Sequence, residues 1–169
     1  TVSELGTIPS DFPVHIVKGK SENMGVLNSD CFKHSTGDLI ILVNDDIVVR
    51  TQGWDQKLIS RLQGFDDNIF LGYPNDLHQK RNMATFPILH RKTVELFQAP
   101  FPFEYERTYI EIHLMDIFKR VEPYLGNRIV YLPEIVFEHF HPYSGKFKTD
   151  STYHNRYLYS DDVVFRRLN

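Results

Sequence analysis

Apolar residues occur along this chain in short runs, and the spacing within the runs switches between a period of two and a helical period of about 3.6. Pro13 to Gly19, PVHIVKG, predicts a short strand with Pro at its mouth and Gly at its exit. Val26 to His34 places Val26, Leu27, Cys31 and Phe32 on one side of a helix, which the Ser-Thr-Gly-Asp at 35–38 ends. Leu39 to Val43 is apolar at every position, which predicts a central strand covered by helices on both faces. Asp55 to Leu62 reads as a helix and Asn68 to Pro74, NIFLGYP, as a strand. Thr85 to Phe97 begins extended and turns helical near Arg91. A further helix runs from Thr108 to Val121, with Ile110, Leu114, Ile117 and Val121 forming its stripe. Asn127 to Pro142, NRIVYLPEIVFEHFHP, gives a strand or a strand pair. Short strands alternating with helices predict an α/β fold, and 169 residues suit one domain spanning the chain.

One run breaks its own pattern. In LIILVNDDIVV, Leu39 to Val49, the apolar stretch is interrupted by Asn44, Asp45 and Asp46 and then resumes. An ionised carboxylate at the end of a buried strand needs water, a counter-charge or a cation. In α/β sheets, ligands collect outside the carboxyl ends of strands, which makes this a candidate site. If strand geometry persisted, adjacent acids would point to opposite faces, so one would meet a cation and the other a hydroxyl or a backbone turn. The doublet equally suits a turn or a helix cap, which short acids often provide.

Charge and cysteine content narrow the chemistry. With 19 Lys and Arg against 22 Asp and Glu the formal net charge is -3, so there is no global basic field to draw a nucleic acid. The single cysteine, Cys31, excludes an intramolecular disulfide and a thiolate-rich zinc site. Any metal must use oxygen and imidazole. No apolar run approaches the roughly 20 residues of a membrane-spanning helix and no signal-like start is present, which predicts a cytoplasmic protein without a membrane span.

His139 and His141 in EHFHP stand two apart, hence on one face of an extended segment. Such a pair is commonly structural, but acids together with imidazole suit manganese, zinc or iron more than calcium. Glu111 and Asp116 on the Thr108 helix suit either a solvated face or a general base for a hydroxyl nucleophile. Lys146 and Lys148 in SGKFKTD can neutralise a diphosphate, or simply be exposed. No phosphate-binding glycine motif and no nucleophilic Ser or Cys signature is present.

These pieces stand in a recognisable order. NMGVLNSDCFKHSTGDLIILVNDDIVVRTQGWDQKL, Asn23 to Leu58, is similar to the central block of family-two glycosyltransferases of the GT-A fold. In that block an Asn-x-Gly (Asn23, Gly25), a later Asn (Asn28), a Gly-Asp (Gly37, Asp38) and an apolar strand lead into an acidic motif, here Asn44, Asp45 and Asp46. Gly53, Trp54 and Asp55, then His139, His141 and Pro142, then Gly145 and Lys146, resemble a smaller phage and bacterial group of such proteins, whose members would work in bacterial or host cytoplasm.

The resemblance implies a GT-A-like, Rossmann-related mixed sheet flanked by helices, with the chain beginning after the place of the first strand-helix-strand unit. It also implies a metal-dependent transferase that moves a sugar from a nucleoside diphosphate sugar, a UDP-sugar by family frequency, to a hydroxyl acceptor with inversion. By it, Asp46 binds Mn2+ or Mg2+ with His139 or His141, and Asn23, Asn28, Asp45 and Lys146 serve the donor. Glu111 falls at the base position, where the family more often has Asp; likewise Asn44 stands at the outer position of the acidic motif. Two rivals fit the same residues: a metal-dependent phosphodiester hydrolase or nuclease, and a non-catalytic nucleotide-sugar binding module of the same fold.

Overall fold

A computed structural model describes residues 13–19, 23–97, 101–141 and 161–168. Its elements are α1 (Met24–His34), β1 (Leu39–Ile41), β2 (Ile47–Val49), α2 (Trp54–Leu62), β3 (Leu71–Asn75), β4 (Ile88–His90), α3 (Arg91–Leu96), α4 (Ile110–Leu125), β5 (Ile129–His139) and α5 (Asp161–Leu168). The strands form one mixed sheet in the order β1-β4-β3-β5-β2. The fold is therefore α/β.

The sheet is apolar on both faces because its inner strands alternate between two cores. Leu71, Tyr73 and Leu89 join Phe101, Tyr105, Ile110, Leu114 and Phe118 on the face that α4 covers. Phe70, Ile88, Leu132 and Phe137 join Leu58 and Leu62 of α2 on the other. Gly72 leaves room for α2: a Cβ there would stand 3.3 Å from Leu62.

Three expectations change in detail, and a fourth resolves to one of its alternatives. Leu39 to Val43 is not central: β1 covers only Leu39–Ile41, pairs with β4 alone among the described residues, and leaves Val43 half exposed. Pro13 to Gly19 forms no strand, and Val14 and Ile16 are exposed, because no described strand pairs with it. The stripe of α4 centres on Ile110, Leu114 and Phe118, and the helix continues past Val121 to Leu125. His113 joins the buried side, where a search for apolar positions alone does not place it. Of the Asn127 to Pro142 segment, Ile129–His139 is one strand, the first of the two alternatives, and it serves two neighbours: Ile129 to Leu132 and Val136 pair parallel with β3, and Phe137 to His139 antiparallel with β2.

The N-terminal turn of α1 is built against the loop at 101–106. Asn23 caps the helix, its side chain accepting from the Val26 N–H at 3.1 Å and donating to the Phe103 carbonyl at 2.6 Å. Met24 and Gly25 donate to the carbonyls of Glu106 and Tyr105 at 2.9 and 3.1 Å, so early N–H groups that a helix leaves orphaned are satisfied across the chain. That contact has no room for a side chain at Gly25. Asp161 of α5 ties the far end of the same loop, accepting from the N–H groups of Glu106, Arg107 and Thr108. No helix among the described residues is long and apolar enough to cross a membrane.

Candidate functional site

The interrupted run is two strands, not one. β1 ends at Ile41, the backbone bends through Asp45 and Asp46, and β2 begins at Ile47 at the other end of the sheet. Four strand spacings of about 4.8 Å make about 19 Å, and six Cα steps reach about 20 Å, so in a flat sheet the connection has no length for a detour. Leu42 N–H donates to the Pro87 carbonyl, just before β4, and Phe140 N–H donates to the Asp46 carbonyl, just after β5. The acids thus cross the sheet along one edge.

That edge is where three strands end. β1 is antiparallel to β4, and β4 to β3, so β1 and β3 run in one direction, and β5 is parallel to β3. Their carboxyl ends carry Asp45 and Asp46 after β1, Asp76 and His78 after β3, and His139 and His141 at and beyond the end of β5. Ligands of α/β sheets gather at such an edge.

The side chains meet there. Asp46 Oδ2 lies 3.2 Å from His139 Nε2. The His139 N–H donates to the Asp76 carbonyl at 3.1 Å, which ties the end of β5 to the end of β3. His139 is 7% exposed, and its Nδ1 has no hydrogen-bond partner among the described residues. Its ring stands edge-on to Phe86 and to His141, with centroids 5.1 Å away in both cases, and His141 stacks nearly parallel on His78 at 5.2 Å. Asp45 is exposed on the same bend, not turned to the opposite face of a continuing strand, because the strand has already ended.

The pair can also be read as a cation seat. Two ligand atoms about 2.1 Å from one ion and about 100° apart lie about 3.2 Å from each other, so the Asp46–His139 spacing suits a shared cation as well as a hydrogen bond. No three His, Cys, Asp or Glu side chains among the described residues form a ready-made cage. Any further positions on such an ion would be open to water or to a ligand's oxygens, and a carboxylate with an imidazole suits manganese, zinc or iron.

The remaining expected site residues lie elsewhere. Glu111 is half-buried in the first turn of α4, a separate element from the strand ends. Asn23 is engaged as the α1 cap, and Asn28 is half-buried on α1. Asp116 forms an ion pair with Arg120 one turn on, the solvated-face reading of that acid. Lys146 and Lys148, with Pro142 and Gly145, lie outside the described residues.

Sequence reasoning passed over Asp76 and His78. Asp76 is 1% exposed, yet its carboxylate is well served: Oδ1 accepts from the N–H groups of His78 and Lys80, and Oδ2 from the Thr85 hydroxyl. Burial first, and the charge of Asp76 second, push the Tyr131 hydroxyl above its ordinary pKa. The signal was present in NDLHQKR, polar residues directly after an apolar strand, the same cue that marked Asp45 and Asp46.

An open cavity of about 460 Å³ lies between α1, α3 and the loop at 101–103, walled by Phe32, Phe97, Phe101 and Phe103. It shares no lining residue with the strand-end cluster. No protein-family model matches this chain, and no curated protein or solved structure matches it either.

Proposed function

We propose that this chain is a metal-dependent, GT-A-like glycosyltransferase that moves a sugar from a nucleoside diphosphate sugar, a UDP-sugar by default, to a hydroxyl acceptor with inversion. The observation that carries the reading is the Asp46–His139 pair at the edge shared by the ends of β1, β3 and β5. Carboxylate and imidazole meet there, and the buried Nδ1 of His139 has no hydrogen-bond partner among the described residues. A turn-forming role for the acid doublet does not call for that pairing.

In this reading Asp46 and His139 hold Mn2+ or Mg2+, with His141 beside them and exposed Asp45 turned to the nucleotide. A bound cation supplies the positive charge that steadies the departing diphosphate. Glu111 takes the acceptor proton while the acceptor oxygen forms its bond to the anomeric carbon and the bond from that carbon to the diphosphate oxygen breaks. Lys146 adds charge on the diphosphate side. Asn28 is the amide available to the donor, since Asn23 reaches a donor only by giving up a bond that builds α1.

The test is turnover. The protein is incubated with UDP-, GDP- and dTDP-sugars, mixed sugar acceptors and manganese, and release of nucleoside diphosphate is followed with and without chelator. Metal-dependent release coupled to a new glycoside supports the reading. Metal-dependent cleavage of a phosphodiester, with no sugar transfer from any donor, replaces it with the hydrolase that the same cluster can also serve.

A further inference from the structure

The turn after β3 has features that the fold alone does not require. Asn75 takes the backbone N–H group of Leu77 and Asp76 those of His78 and Lys80, so three of the turn's backbone donors are engaged within it. Leu77 and Lys80 are held at φ 61° and 53°, a left-handed region unfavourable to residues with a Cβ, which fixes the turn in a strained course. His78 is half-buried against His141, and neither of its ring nitrogens forms a hydrogen bond among the described residues. Lys80 and Arg81 are exposed and form no ion pair among the described residues, whereas Arg50, Arg120 and Arg128 are each tied to an acid. The Arg81 guanidinium lies 5.7 Å over the ring of Tyr131, which is near the start of β5 and pairs with Tyr73 of β3.

The chemistry of the edge is divided accordingly. The β1 and β5 ends offer a carboxylate and a buried imidazole, a place for a cation. The β3 turn offers an imidazole and two cations, groups that bind phosphate oxygens through charge-assisted hydrogen bonds. We infer that His78, with Lys80 and Arg81, is an anion-binding wall that takes the phosphate groups of the ligand whose cation rests on Asp46 and His139. The inference rests on the proposed function for the identity of that ligand as a nucleoside diphosphate, but not for its phosphate chemistry.

Inorganic pyrophosphate with Mn2+ is the probe, because it carries the phosphate chemistry without base, ribose or sugar. Calorimetric titration compares the unaltered protein with His78→Gln, with Lys80→Ala/Arg81→Ala, and with Lys57→Ala/Lys92→Ala on α2 and α3 as the charge-matched control. Circular dichroism checks that each is folded. The double substitution in the turn should weaken binding at least tenfold and flatten its salt dependence, His78→Gln should weaken it about tenfold, and the control should bind as the unaltered protein does. Equal affinity in all four proteins overturns the inference, as does absence of pyrophosphate binding by the unaltered protein.

The two ideas fail separately. Pyrophosphate binding that depends on the turn, without sugar transfer from any donor, keeps the anion wall and discards the transferase. Sugar transfer and donor affinity that are indifferent to the turn keep the transferase and discard the wall. The Lys80→Ala/Arg81→Ala protein guards the test, since both side chains are exposed and their removal leaves no buried group unpaired.

Discussion

Gly25→Ala isolates one physical claim, that the Asn-x-Gly at 23–25 is fixed by packing. In a helix the replacement of Gly by Ala ordinarily stabilises by about 1 kcal/mol. Here the added Cβ would stand 2.0 Å from the Pro102 carbonyl oxygen and 2.7 Å from its carbon, both backbone atoms that no rotamer change can move. Relief requires the loop at 101–106 to retreat by more than 1 Å, which breaks or stretches the bonds from Met24 and Gly25 N–H to Glu106 and Tyr105. Two such bonds contribute about 1 kcal/mol each, and overpacking adds about 1 to 3 kcal/mol. The clash outweighs the helical gain, and the net loss is about 2 to 4 kcal/mol. Urea unfolding followed by circular dichroism measures it, with Gly64→Ala as a control because nothing lies within 4 Å of the Cβ position there. A Gly25→Ala protein as stable as the original, or more so, refutes the packing account of the motif.

Other consequences reach the core and the site. Burial holds the His113 imidazole below its ordinary pKa, so the folded protein binds fewer protons than the unfolded chain just below pH of about 6.5. Stability from this group is full above that pH and is lost as pH falls toward the lowered folded value. His113→Gln should remove part of the slope of urea midpoints between about pH 7.5 and 5, and an unchanged slope rejects the assignment. Asp161→Ala leaves three loop N–H groups without their carboxylate and should cost about 2 to 4 kcal/mol in the same unfolding assay, whereas a loss under about 0.5 kcal/mol means that α5 is not anchored there. Glu111→Gln should leave donor affinity nearly intact while initial transfer rates fall roughly 10²- to 10⁴-fold; equal rates remove Glu111 from the chemistry.

What could be read along the chain, and what could not, divides by the range of the interactions. Helices α1, α2 and α4 are legible because their apolar spacing is local, and the Ser-Thr-Gly-Asp after α1 marks its end, whereas α4 runs one turn past the expected Val121. Strand order is a long-range property. The uniform apolarity of Leu39 to Val43 suggested a centre, yet β1 is paired on one side among the described residues, and Asp46 is presented because the chain changes neighbours there. The buried His113 was hidden because an imidazole is polar until Tyr105 supplies its hydrogen-bond partner at 3.2 Å. Asp45, Asp46, His139 and His141 were visible as chemistry, but their spacing along the chain does not join them, and only the resemblance set Asp46 with His139 or His141. The common direction of β1, β3 and β5 and the pairing of β2 with the end of β5 join them, and the same direction brings in His78.

The central claim is that Asp46 and His139 together seat a cation that carries a nucleoside diphosphate sugar. Calorimetric titration of a panel of these donors, with and without manganese, on the unaltered protein and on Asp46→Ala addresses it most directly. The account predicts that at least one donor binds only when manganese is present and that this binding disappears in Asp46→Ala while the circular dichroism spectrum is unchanged. Donor binding that is the same without manganese, or the same in Asp46→Ala, contradicts it.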